Sequence, residues 1–509
     1  MRACIRRGSK QIGGSCIEVE QDGKRLLIDL GLPLDAPANT ADIVPDGLVL
    51  DGTDQNLLGI LISHPHLDHY GLLAHVDGSI PIGLGPSARR VLAAAAPFLP
   101  GTWPVPSAGW NYESGHPFEI GPFTITPFLV DHSAYDAYAL LIEGGGERLF
   151  YSGDFRGHGR KAALLDRLVA APPADIDALL VEGSSLTRLP LDARFPTEAE
   201  IESQLVAELR DTKGLALVHT SAQNIDRIVS IFRASRRCGR RVVLDLYAAA
   251  ILEATGNLNL PQSDWPDVAL YVPELQRRQI KRAGMFDVLA RHSRNRIFIE
   301  DLAALPARST LLFRPLHRKD LEGAACLAGA KYIYSQWEGY WDSGSYDEVK
   351  AFLDAHGIPK VSLHTSGHAS PVDLKRSVSA LNPGKVVPIH SFRSDRYPLI
   401  FQERVLPMTE TAMCWGIETG NGWYHLIDGL CAQLQRETDQ DGAPQIIATQ
   451  VKEKFGTLRF HTREANERQS AMIDLASELS SRICDQCGAP GQLRTSGWHA
   501  TRCEAHAES

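Results

Sequence analysis

Four ligand-type side chains fall within six residues at His64-Pro65-His66-Leu67-Asp68-His69, and nothing else in the sequence restricts the fold as much. They follow the apolar run 57–63, which reads as a buried strand. A loop at a strand end is anchored at its base and open at its tip, where layered α/β proteins place their chemistry. Neutral imidazoles suit zinc, and a carboxylate adds an oxygen ligand. Alternation along an extended turn points His64 and His66 to one ion and Asp68 and His69 to another. The plain alternative is a polar loop that happens to be rich in histidine. Four such residues at this spacing, directly after an apolar strand, disfavour it.

A chain of 509 residues exceeds one ordinary core, so two or three domains are expected. The first 190 residues alternate apolar runs with Gly-rich turns. Strands are predicted over 25–30, 57–63, 123–130 and 149–152, with polar residues at their C-terminal ends. From about 191, helical periodicity over 197–210 and 224–237 brackets strand-like runs at 215–219 and 241–246. This reads as a second α/β unit ending near 355. A strand over 360–363, a helix over 370–381 and a strand over 385–389 are expected to resume the first domain, which makes the middle unit an insertion. Beyond about 410 an amphipathic helix over 422–434, a strand pair over 450–461 and a helix over 465–481 precede a cysteine cluster. The expected divisions are therefore 1–190, 191–355, 356–410 and 411–509.

The His64-x-His66-x-Asp68-His69 signature resembles the metallo-β-lactamase superfamily. That resemblance implies a four-layer αββα fold and a further set of strand-end residues. His132 in Val130-Asp131-His132-Ser133, Asp154 in Tyr151-Ser152-Gly153-Asp154-Phe155 and His390 in Val387-Pro388-Ile389-His390 meet it. Carried over, His64, His66 and His132 hold one metal, Asp68, His69 and His390 hold the second, Asp154 bridges them and Asp29 supports the ligand loop. Two zinc ions, with manganese as the alternative, would lower the pKa of a bridging water to give hydroxide as nucleophile. Asp68 would orient that hydroxide as well as bind metal.

Within the superfamily the chain resembles the β-CASP nucleases, and ribonuclease J most, over about 1–410. Glu182 in Leu179-Leu180-Val181-Glu182-Gly183 and the run His364-Thr365-Ser366-Gly367-His368-Ala369-Ser370 carry this resemblance, with Thr220-Ser221-Ala222-Gln223-Asn224-Ile225-Asp226-Arg227 inside the insertion. It implies an inserted α/β β-CASP domain and a nuclease. The chemistry of the residues agrees. His368 suits contact with a scissile phosphate or proton delivery to the leaving oxygen, and Glu182 suits its orientation. Ser366 and the Gly367 N–H are candidates for a phosphate oxygen near the helix start. Ser221, Asn224 and Arg227 are candidates for a second phosphate, with simple helix capping as the competing role. Tyr247, Tyr340 and Trp341 are candidate stacking groups, although aromatics more often fill cores.

Cys484-x-x-Cys487 followed by Cys503-x-x-His506 is the spacing of a closed structural zinc site, which makes the end of the chain a small α+β zinc domain. This part departs from ribonuclease J and resembles a small bacterial domain with similar cysteines. Nucleic-acid docking, homodimer formation or a protein partner is the role expected there. The other cysteines, Cys4, Cys16, Cys238, Cys326, Cys414 and Cys431, are scattered as in a reduced compartment. With no apolar leader and no long apolar run, a cytoplasmic protein without membrane contact is expected.

A formal net charge of −9 excludes a protein that coats nucleic acid indiscriminately. It leaves room for local attraction, since residues 223–300 hold 13 Lys and Arg against 8 Asp and Glu. The expected function is a metal-dependent exo- or endonuclease hydrolysing single-stranded RNA, with DNA as the lesser substrate. Two alternatives stand beside it. One is a hydrolase of a small ester, thioester or lactam, which needs no insertion. The other is a nucleic-acid-binding or defence scaffold with a secondary nuclease centre.

Overall fold

The computed structural model describes residues 1–36, 40, 43–99, 109–397, 401, 417–495 and 499–507. They form two compact units, Met1–Arg393 and Ser394–Ser509. Cys414 and the expected division at 410–411 lie outside the described residues.

The first unit is built on two stacked sheets. One has five strands in the order Arg2–Arg7, Cys16–Gln21, Lys24–Ile28, Leu57–Leu61 and Ile82–Gly83. The other has six, in the order Lys385–Ile389, Ala178–Glu182, Glu147–Tyr151, Ala137–Gly144, Phe123–Val130 and Phe118–Ile120. Alternate residues of the first sheet, among them Ile17, Val19, Leu26, Ile28 and Leu61, pack on Ile125, Leu140, Ile142, Leu149 and Leu180 of the second. The outer face of the five-stranded sheet is covered by the helix Pro86–Ala95 through Ala88 and Leu92. On the six-stranded side, helices Ala163–Ala170 and Pro371–Leu381 pack together, and the former also meets the strand Phe123–Val130. Helix, sheet, sheet and helix thus make four layers, as the fold class requires.

Between the neighbouring strands Ala178–Glu182 and Lys385–Ile389 the chain builds a third, all-parallel sheet of seven strands. Its central strands, such as Ala216–His219 and Ser309–Phe313, are buried from end to end, as parallel strands covered on both faces must be. Here one sequence expectation is corrected. The strand Lys360–Ser362 does not resume the first domain but pairs in parallel with Lys331–Tyr334 as the outermost strand of this sheet. A short run of strand-forming residues carries no address, and its register is set by a partner distant in sequence.

The two lobes are joined by buried charge. Arg156, fully buried, donates to Asp131 (3.2 Å) from the first lobe and to Asp226 (2.6 Å) from the second. Arg227, also fully buried, grips Glu198 at 2.9 and 3.2 Å. Burial alone would raise the Glu198 pKa, but Arg227 and Arg156 bring it down to about 2. Its stabilising charge is therefore present above the ordinary glutamate pKa and is lost as pH falls toward 2.

In the second unit Trp423 is fully buried and its indole N–H donates to the Ile483 carbonyl at 2.7 Å. It anchors the helix Tyr424–Asp441 on the hairpin of Ile447–Lys454 and Thr457–Arg463. Strands Gln492–Arg494 and Ala500–Arg502 form a second small hairpin.

Glu198→Gln leaves two buried guanidinium groups short of a counter-charge. It is expected to lower unfolding free energy at pH 7 by about 3–5 kcal/mol. In urea denaturation, the gap between wild type and variant should shrink as pH falls from about 4.3 toward 2.

Candidate metal centre

Strand ends of both stacked sheets converge on one patch. Leu57–Leu61 leads to His64, His66, Asp68 and His69; Phe123–Val130 leads to His132; Glu147–Tyr151 leads to Asp154; and Lys385–Ile389 leads to His390. The structure gathers these residues into two groups, His64 with His66 and His132, and Asp68 with His69, Asp154 and His390. Within each group the ligand-type atoms all lie within 4.8 Å of one another.

Asp154 Oδ2 stands at the junction. It lies 3.2 Å from His69 Nε2, 3.6 Å from His390 Nε2 and 3.8 Å from His64 Nε2. Ligands about 2.0–2.1 Å from a tetrahedral ion are separated by about 3.4 Å, so these atoms form a slightly wide ligand cage. The Nε2 atoms of His64, His69 and His390 are buried and have no hydrogen-bond partner. Orphaned buried nitrogens aimed at one point are what a cation site looks like from its protein side. The donor set fits a metal pair.

The opposite edge of each ring is held. Asp29, fully buried, takes a bond from His69 Nδ1 (2.7 Å), from the Ser63 N–H and hydroxyl (2.7 and 2.8 Å) and from the Tyr151 hydroxyl (2.5 Å). Ser63 Oγ lies 3.1 Å from His64 Nδ1, and Ser15 Oγ lies 3.1 Å from His390 Nδ1. His132 Nδ1 donates to the Gly367 carbonyl at 2.5 Å. Each contact fixes a ring nitrogen so that the other faces the centre. Close approach is also needed at Gly31, where an added Cβ would sit 1.8 Å from the Asp68 carbonyl oxygen.

The electrostatics of the two groups differ. Burial and the neighbouring imidazoles hold His64 and His132 far below the usual histidine pKa. His66 is brought to about 4, mainly by burial. These rings are neutral, the form that binds metal. Burial acts against protonation of His69 too, but Asp154, Asp29 and Asp68 outweigh it and raise its pKa well above the usual range. The second group therefore carries an excess of negative charge that calls for a cation.

His368 and Glu182 flank this centre. His368 Nδ1 lies 3.4 Å from Glu182 Oε2 and 3.5 Å from Asp154 Oδ2. Burial lowers the His368 pKa, and Glu182 and Asp154 more than reverse this. Glu182 is also fixed by the Ala369 N–H (2.9 Å) and the Ser184 N–H and hydroxyl (3.1 and 3.0 Å). The His368 and Asp68 side chains retain 20% and 19% exposure against 2% for Asp154, so they mark the open side of the centre.

Most of the other candidate residues have partners within the protein. The Ser366 hydroxyl is buried and accepts the His368 N–H at 3.1 Å, and the Gly367 carbonyl accepts from His132. Arg227 is spent on Glu198, Asn224 caps the helix Ile225–Arg237 by accepting the Arg227 N–H, and Ser221 accepts the Gln223 N–H. Those three make a cap and an ion pair. Tyr247 is buried beneath Arg314, and Trp341 packs on the core; Tyr340 alone of the three is exposed, at 46%, edge-on to Trp337.

Sequence reasoning missed Arg156 and His158. Both donate to the Ser366 carbonyl, at 3.1 and 2.8 Å, and so hold the loop that carries His368. Their one local signal was position, just after Asp154 in Asp154-Phe155-Arg156-Gly157-His158.

In the C-terminal unit, Cys484, Cys487, Cys503 and His506 bring their ligand atoms within 4.8 Å of one another. Cys487 and Cys503 sulfurs are 3.7 Å apart, and His506 Nδ1 lies 3.3 and 3.7 Å from the sulfurs of Cys503 and Cys484. Zn–S bonds of about 2.3 Å at tetrahedral angles separate sulfurs by about 3.8 Å, which these distances match.

Residues 25–190 match the β-lactamase superfamily domain. Ribonuclease J of Sinorhizobium meliloti is 22% identical over 72% of this chain and 63% of its own length. Ribonuclease J of Mycoplasma pneumoniae is 22% identical over 75% and 66%, and that of Synechocystis 23% identical over 75% and 59%. The chain thus spans less than two thirds of these relatives. A crystal structure of an Enterococcus faecalis protein of unknown function superposes with a TM-score of 0.62 at 20% identity, over 80% of this chain and 97% of that one, which shows a common fold. Residues 25–190 thus carry a domain similar to the β-lactamase superfamily, set in four layers, and the chain resembles ribonuclease J over 72–75% of its length.

Proposed function

We propose that this chain is a metal-dependent ribonuclease that hydrolyses phosphodiester bonds in single-stranded RNA, with zinc at both ligand groups. The observation that carries the reading is His368, set between Glu182 and Asp154 on the open side of the centre. When bound, a pair of divalent cations lowers the pKa of a water and offsets the charge of a phosphate. Asp68, partly exposed, accepts a hydrogen bond from that water and aims it at phosphorus. His368, held beside Glu182, would hydrogen-bond a phosphate oxygen and give a proton to the leaving ribose oxygen. Glu182 holds the imidazole through that transfer. Arg156 and His158 fix the His368 loop from behind. A hydrolase of a small ester, thioester or lactam would have no need of the seven-stranded lobe.

In this reading the parallel seven-stranded lobe is the inserted β-CASP domain, ending after Lys360–Ser362, and the cleft beside it holds the strand. The Cys484, Cys487, Cys503 and His506 quartet holds a further zinc, closed and structural, that stabilises a small core. Cys16, Cys238 and Cys326 carry free thiols, in keeping with a cytoplasmic site of action. Among the described residues no helix is long and apolar enough to cross a membrane.

Wild-type protein should cleave an end-labelled, 5′-phosphorylated single-stranded RNA, and Asp154→Ala should not. His368→Ala should lower kcat about 10²–10⁴-fold while retaining the metal content of wild type. Cleavage of DNA but not RNA, or of neither with metal in place, would overturn the RNA reading.

Metal analysis of purified protein should find about three zinc ions per chain, two in the catalytic groups and one in the quartet. Cys484→Ser with Cys487→Ser should remove one and abolish the unfolding transition of the C-terminal unit. Unchanged metal content in this variant would sink the structural zinc.

A further inference from the structure

In the C-terminal hairpin, alternation sorts the side chains onto two faces. Val451, Leu458 and Phe460 are buried against Trp423, Ile427, Leu430 and Leu434. The residues between them point the other way. There the register sets Lys452 opposite Arg459, Gln450 opposite His461, and Lys454 opposite Thr457. Like charges directly opposite each other weaken a sheet, so the Lys452 and Arg459 pair opposes folding.

No ion pair relieves these cations among the described residues. Arg459 reaches the Ser477 hydroxyl at 3.3 Å, and Lys454 lies over the Phe455 ring, 5.4 Å from its centre. Glu453 is occupied in the turn, where it accepts the Gly456 N–H. On the neighbouring edge strand Glu418 is the register partner of Lys452. Residues 417–507 as a whole are acidic, with 9 Lys and Arg against 12 Asp and Glu, so the cations on this face are segregated. At the hairpin tip Phe455 is 62% exposed and stands edge-on to His499, with ring centres 6.0 Å apart.

We propose that this sheet face binds the backbone of single-stranded RNA, with Phe455 stacking on an unpaired base. Lys452, Lys454 and Arg459 meet phosphates, and His461 and Gln450 donate hydrogen bonds beside them. A chain of phosphates brings a negative charge with every residue and a base for the ring; an acidic peptide would leave the ring unused. The inference rests on the ribonuclease reading for its substrate, and its test is separate from that reading.

The test measures fluorescence anisotropy of a labelled single-stranded RNA on the full-length chain carrying Asp154→Ala, which leaves the RNA intact. Lys452→Gln removes the like charge opposite Arg459 without setting a second carboxylate beside Glu418, so the unit should stay folded, as thermal denaturation followed by circular dichroism will show. Its RNA affinity should fall about fivefold, and the slope of log affinity against log salt should shrink by about 0.7, the share of one phosphate contact. Phe455→Ala should weaken binding about fivefold or more without changing that slope. Wild-type affinity and slope in Lys452→Gln would overturn the proposal, as would equal losses for an uncharged control polymer. If catalytically intact protein leaves RNA uncut, the ribonuclease reading fails instead, whatever the anisotropy shows.

Discussion

The buried guanidinium of Arg156 ties together segments that would otherwise move independently. It bonds Asp131, whose neighbour is His132 of the first histidine group; Asp226, from the other lobe; and the carbonyl of Ser366, two residues before His368. It also lies two residues beyond Asp154. A charge with no access to water is tolerable only when its hydrogen bonds are all made, so the positions of its partners are fixed together. Arg227 and Glu198 extend the cluster, and Ser230 adds a 2.7 Å bond to Glu198. The angle between the lobes and the geometry of the metal centre are thus set by one bonded network.

Asp29 does for the imidazoles what Arg156 does for the loops. One carboxylate collects donors from Ser63, His69 and Tyr151, which come from both stacked sheets. Its backbone is left-handed at φ 58°, as is that of His390 at φ 49°. Both lie just past a strand, where a turn into this region swings the side chain from the pleat toward the centre. Such conformations are costly for residues with a Cβ and persist where surrounding bonds hold them. Asp29 has four such bonds, and the His390 N–H donates to the Gly8 carbonyl at 2.7 Å.

What could be read from the sequence was what is local. The ligand spacing at 64–69 follows from an apolar strand ending in a turn, and the strand 385–389 and the helices 224–237 and 370–381 follow from their periodicity. Contacts made across long separations could not be read. Tyr151 reaches Asp29 across 122 residues and Arg156 reaches Ser366 across 210, and neither residue type advertises its partner. Arg227 misled for the same reason: an arginine at a helix start looks like a phosphate ligand until Glu198 is placed beneath it. The strand 360–362 was legible as a strand but not as a member of the parallel sheet.

The two ligand groups are not equivalent, and this follows from their charges. The first consists of three imidazoles kept neutral by burial and mutual repulsion. The second sets two carboxylates, Asp68 and Asp154, beside His69 and His390. A cation gains more Coulombic energy in the second, where the surrounding protein screens poorly. Asp154 lies within 3.8 Å of His64 as well as His69, so a cation in either group feels the same carboxylate. Filling one group neutralises part of the charge that attracts the other cation. His368 and Glu182 draw on that carboxylate too, since His368 stands 3.5 Å from Asp154. The charge on Asp154 is therefore shared among both ligand-type groups and His368, which makes it the residue whose loss the centre can least replace.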